Sequence, residues 1–158
     1  MVRVMNKFQI ALEITGLLLL AGMFAFIYIQ WNQLPQQIPA HYNAMGEIDR
    51  WGSKTEILIM PIIGIFLYVL LTTVSFFPGL WNVPVQITEE NKEVVYQHTR
   101  NLLIFLKVEM IAVFFYITYY MATIQPLPIT FLPVFMIILF FPIVYYMVRI
   151  RRLKTRRI

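Results

Sequence analysis

The sequence predicts an all-α integral membrane protein, with four transmembrane helices and an ordered extracellular loop between the first and second. Three observations carry that reading. The 158 residues are 59% hydrophobic and only 13% charged, with a mean hydropathy of +0.69. Four apolar runs, at about 8–30, 56–77, 101–124 and 129–148, are each long enough to cross a hydrocarbon core of about 30 Å. Between the first two runs lies a polar passage, 31–55, with turn chemistry of its own. Residues 1–158 read as a single four-helix domain.

Residues 1–7 bring Arg3 and Lys7 to the start of the first run. That run is too long for the apolar core of a signal peptide and has no small-x-small pattern after it, so a retained first helix is expected. Pro35 and Pro39 then fix their own φ and push Leu34 and Ile38 toward extended conformations, which opens the polar passage as a non-helical strap. Asn43 to Gly46 and Asp49 to Gly52 each join an Asx side chain to a glycine that tolerates positive φ, two turns that would fold the strap into an outer cap. Trp31, Tyr42 and Trp51 supply amphipathic rings suited to a membrane interface.

Ser53 and Glu56 form an S-x-x-E capping box that opens the second helix, and Pro61 should kink it or end its first interfacial turns. Pro78, Gly79 and Pro84 break the chain after it. Thr88, followed by Glu89 and Glu90, suits an N-cap, and no proline or glycine interrupts the pattern from there to Ile124. One helix over that stretch would be about 54 Å long at 1.5 Å per residue, so 88–100 is expected to stand outside the core as a cytoplasmic helical extension. A turn at 125–128 leads to the fourth run, which contains Pro133 and Pro142 and ends in a basic tail, 149–158.

Basic residues orient the chain. Arg3, Lys7, Lys92, Arg100 and the six basic residues of the tail fall on one side, against Arg50 and Lys54 on the other. The positive-inside rule makes the first side cytoplasmic, with both termini there and the strap outside. The net charge of +5 therefore reads as topology and as attraction of the tail to anionic headgroups, not as nucleic-acid binding. With no cysteine there is no disulfide and no thiolate ligand or nucleophile.

Leu34, Pro35, Ile38, Pro39, His41, Asn43, Gly46, Asp49, Trp51, Gly52, Ser53 and Lys54 follow the pattern LPxxIPxHxNxxGxxDxWGSK. The pattern resembles the signature of a bacterial membrane-protein family of largely unassigned function, whose best-known member type is the toxin-immunity protein SdpI. The likeness extends more weakly into 88–109. Tyr42 stands where Phe is usual and Arg50 where a small residue is common, and immunity proteins of the SdpI type carry a further membrane module after this one. The resemblance implies a bacterial cell-membrane protein that protects against a secreted toxic peptide and holds a cytoplasmic regulator at the membrane.

Within the cap, His41, Asn43, Glu47, Asp49, Trp51 and Lys54 are the candidate ligand-binding residues. His41, Glu47 and Asp49 lack any recurrent metal spacing, and His98 is expected on the opposite side of the membrane, so no metal or other cofactor is assigned. No Ser or Cys nucleophile stands in a motif with His41 and Asp49, so no catalytic residue is assigned either. Glu13, Lys107 and Glu109 are ionisable residues inside apolar runs, where charge is costly. Glu13 lies about 8 Å beyond Phe8 and Lys107 about 9 Å beyond Asn101, so the two should pair at matched depth. Lys107 and Glu109, two residues apart, should project from different sides of their helix. The three form either a polar site or proton relay in the bundle, or a structural ion pair with a lysine that snorkels.

The sequence is thus read as a non-enzymatic membrane binding protein whose cap recognises a peptide or another membrane component. Its alternatives are a small transporter or channel subunit using Glu13, Lys107 and Glu109, and a membrane hydrolase using His41.

Overall fold

Helix α1 (Lys7–Gln30) starts at Asn6, whose side chain accepts from the Gln9 N–H at 2.9 Å while the Gln9 side chain accepts from the Asn6 N–H at 3.1 Å. In this computed structural model, which describes residues 5–152, three more long helices follow: α2 (Ile59–Phe76), α3 (Lys92–Thr123) and α4 (Phe131–Arg152). All four are long and apolar enough to cross a membrane, α2 together with the 3-10 turn Lys54–Leu58 that leads into it. Arg3 and the part of the basic tail beyond Arg152 lie outside the described residues.

The prolines fall where a helix tolerates them. Pro133 is the third residue of α4, where the missing N–H would have had no partner, Pro61 stands where the 3-10 turn Lys54–Leu58 passes into α2, and Pro142 is interior to α4. α3 begins at Lys92 and not at Thr88. The Asn91 side chain accepts from the Thr88 N–H and donates to the Gln86 carbonyl, so 88–91 closes as a separate turn before the helix. The 32 residues of α3 still make it about 48 Å long, more than a bilayer core.

Side-chain pairs define the packing. Gln9–Asn101, Glu13–Lys107 and Met23–Thr118 advance together, so α1 and α3 run parallel. Lys107 meets Thr72 and Arg100 meets the Ser75 carbonyl, which sets α2 antiparallel to α3. Tyr116 stacks on Phe131 and Phe105 meets Tyr146, so α4 also runs antiparallel to α3, and it packs almost wholly on that helix. The buried apolar core gathers toward the hairpin end: Leu20, Met23 and Ile27 of α1 meet Leu34, Ile38 and Ile57 from the connection and Ile111 and Met121 of α3.

The connection between α1 and α2 is a two-stranded antiparallel hairpin, β1 (Gln37–Tyr42) and β2 (Ile48–Ser53). Ile38 pairs with Gly52, Pro39 with Trp51 and Tyr42 with Ile48, with an irregularity around His41 that pairs it with Arg50. The outer cap is therefore ordered, as expected, but it has one turn and not two. Asp49 to Gly52 lies within β2, because strand pairing satisfies that backbone and leaves the Asp49 carboxylate for His41.

Candidate functional site

Asn43 makes the hairpin turn. Its side-chain oxygen accepts from the N–H groups of Met45 and Glu47, at 2.9 and 3.0 Å, and its amide donates to the Glu47 carboxylate at 2.8 Å. Gly46 completes the turn with φ +84°, a conformation side chains rarely adopt. It also docks the hairpin on the bundle. The Gly46 carbonyl accepts from Leu127 N–H at 2.8 Å, and a Cβ on Gly46 would lie 2.2 Å from the Leu127 carbonyl oxygen.

The base of the hairpin is locked by Glu56. One carboxylate oxygen accepts from Ser53 N–H at 3.1 Å, and the other accepts from Arg50 Nη2 at 2.9 Å, while that guanidinium also donates to the Ala40 carbonyl. Gly52 makes this possible, since a Cβ there would sit 2.1 Å from Glu56 Oε1. His41 and Asp49 face each other across the strands, with His41 Nδ1 2.6 Å from the Asp49 carboxylate, and both side chains remain largely exposed. Trp51 is half exposed. Lys54 lies over the Trp31 ring, 5.0 Å from its centroid.

Beneath the hairpin is a cavity of about 280 Å³, bounded by His41, Tyr42 and Asn43 above and by Met60, Ile117, Met121, Leu127 and Phe131 of the bundle below. Its walls are mostly apolar, and the two polar pairs, His41–Asp49 and Asn43–Glu47, stand on the strands and turn that roof it. Tyr42 adds a buried hydroxyl with no hydrogen-bond partner among the described residues, and burial pushes that hydroxyl's pKa up to about 12. No group of His, Cys, Asp and Glu among the described residues is arranged to hold a metal ion.

Residues 18–65 match the family described as Domain of unknown function (DUF1648). The DUF1648 segment takes in the later part of α1, the whole hairpin and the first turns of α2. Over 77 residues the chain is also 32% identical to an uncharacterized protein of Archaeoglobus fulgidus, covering 44% of this chain and 42% of that relative's length. The relative is archaeal, whereas the sequence resemblance implied a bacterial family. No solved structure matches the chain. The likeness is thus to an uncharacterised membrane-protein family, and the DUF1648 segment supplies the roof of the cavity while α3 and the 124–132 stretch supply most of its floor.

A second polar cluster lies wholly outside the DUF1648 segment. Lys107 is fully buried, and its ammonium donates to both Glu13 carboxylate oxygens and to Thr72 Oγ1, all at 2.6 Å. Tyr68 donates to Glu13 at 2.7 Å and places its ring 4.3 Å from the ammonium. The expected pairing of Glu13 with Lys107 is present, but Lys107 does not snorkel. Its three donors are all used inside the bundle. Glu109 projects elsewhere, with one carboxylate oxygen buried and without a partner among the described residues. Sequence reasoning missed Tyr68 and Thr72, whose spacing of four residues on an apolar helix was the available signal.

Proposed function

We propose that this is a non-catalytic membrane binding protein whose hairpin and underlying cavity receive an amphipathic ligand, a peptide or another membrane component. The observation that carries the reading is the apolar cavity roofed by exposed hydrogen-bonding pairs. An apolar group of the ligand would enter between Met121, Leu127 and Phe131, and its polar portion would meet His41, Asn43 and Asp49 at the rim. The resemblance to SdpI-type proteins favours a secreted toxic peptide as ligand, with a cytoplasmic regulator on the far side. Glu13 and Lys107 serve this reading as a structural clamp, because a closed network with every lysine donor occupied leaves nothing for a passing solute.

The reading places the hairpin outside and both termini in the cytoplasm of a bacterial cell. A cysteine introduced at Gln36 should then react with an impermeant thiol reagent in intact cells, and one at Thr155 should react only after permeabilisation. The opposite pattern overturns the orientation.

Ligand binding is tested by isolating the tagged protein from its native membrane and identifying co-purifying peptides and lipids by mass spectrometry. Wild type should carry a discrete species that is lost in His41→Ala/Asn43→Ala/Asp49→Ala, with the variant still inserted and accumulating normally. Loss of ligand and of protein together would mark the hairpin as scaffold only. An unchanged species in a well-accumulated variant would remove the hairpin from recognition.

A further inference from the structure

A second groove, of about 610 Å³, lies along the C-terminal turns of α1 and shares no lining residue with the hairpin cavity. Its walls are Phe24, Ile27, Tyr28, Trp31 and Leu58, with Asn32 at its polar end. Tyr28 is 84% exposed, so in a membrane-spanning helix this wall faces the bilayer and not the bundle. Lys54 sits one turn before Leu58 and rests on the face of Trp31.

The lysine is the unusual element. It occupies the first turn of the 54–76 helical segment, where the helix dipole disfavours a cation. The nearby Arg50 is neutralised by Glu56, but Lys54 has no carboxylate partner among the described residues. What holds it is the π-face of Trp31, a contact that leaves its charge without a counter-ion. An apolar groove, an interfacial Trp and an uncompensated cation at the rim together match one class of molecule.

We propose that this groove is a binding site for an anionic phospholipid, with the phosphate on Lys54 and Asn32 and an acyl chain along Ile27, Tyr28 and Leu58. The site is independent of the hairpin cavity and of whatever ligand that cavity takes.

Quenching of Trp31 fluorescence by brominated lipids reads the site directly. In a Trp51→Phe/Trp81→Phe background reconstituted into mixed vesicles, brominated phosphatidylglycerol should occupy the groove about fivefold more strongly than brominated phosphatidylcholine. Lys54→Met, which keeps the apolar stem, should abolish the preference, and Lys54→Arg should retain it. Equal quenching by the two lipids, or a preference that survives Lys54→Met, overturns the site and leaves ordinary boundary lipid. Protection of Trp31 from quenching by added inorganic phosphate would assign the cation to a soluble anion and equally overturn the lipid. If Lys54→Met fails to accumulate, the comparison of headgroups on the Trp51→Phe/Trp81→Phe protein decides alone.

Discussion

Tyr42 shows how a single side chain divides between architecture and ligand. Its ring packs against the core beside the hairpin, yet its hydroxyl is buried without a partner among the described residues. A buried hydroxyl in that state costs about 1 kcal/mol or more. Tyr42→Phe should therefore hold or raise the thermal stability of the detergent-solubilised protein. The pH dependence has a definite sign. The folded-state value near 12 lies above the ordinary 10.0, so the folded form keeps a proton that the unfolded chain gives up. Stability associated with this group is complete below about pH 10 and is lost as pH rises toward 12, and Tyr42→Phe should remove that slope from an alkaline melting series. A variant that melts well below the parent would mean that the hydroxyl has a structural partner.

At this scale much of the cap was legible from the sequence. Asn43 and Gly46 were read as a turn because their chemistry is local, an Asx oxygen and a glycine φ. Asp49 and Gly52 were misread by the same rule. Their roles depend on groups distant along the chain, Asp49 on His41 across the sheet and Gly52 on the approach of the Glu56 carboxylate. Turn residues inside a strand reveal themselves only once the pairing is known.

Among the elements, α1, α2 and α3 are joined by the Glu13–Lys107–Thr72–Tyr68 network, with Gln9–Asn101 on its tail side and the apolar core on its hairpin side. Matched depth made the central pair predictable. The two hydroxyls were not, because Tyr and Thr in an apolar run carry no charge to call attention to them. Removing Lys107 alone leaves the Glu13 carboxylate buried with only Tyr68 as donor. Lys107→Met should cost about 3 kcal/mol, and the Glu13→Gln/Lys107→Met double variant should recover a large part of that loss. A double-mutant cycle on thermal or denaturant unfolding measures the coupling. Strictly additive losses would show that the two groups do not form one unit, and would return Glu13, Lys107 and Glu109 to consideration as a path through the membrane.

For the whole molecule, the four spans followed directly from hydropathy and length, since a bilayer leaves the backbone few alternatives to a helix. The hairpin did not follow, because at six residues each its strands carry too little alternation to be distinguished from an extended strap. The cavity was illegible for a stronger reason. Its roof, at 40–46, and most of its floor, at 117–132, are far apart in sequence, and they meet through core packing of Ile38 and Tyr42 and the hydrogen bond from Leu127 to Gly46. That contact ties the α1–α2 connection to the α3–α4 connection and places α4, held chiefly by α3, at the edge of the proposed binding site.

Site-specific photo-crosslinking in native membranes tests the central claim most directly. A photoreactive residue at Leu132 lines the cavity, and one at Ile137, 68% exposed on the same helix, faces away from the bundle. Binding under the hairpin predicts a discrete adduct from Leu132 that disappears when Ala44→Trp fills the mouth of the cavity, and only bulk-lipid adducts from Ile137. The same lipid adducts from both positions, unaffected by Ala44→Trp, would contradict it.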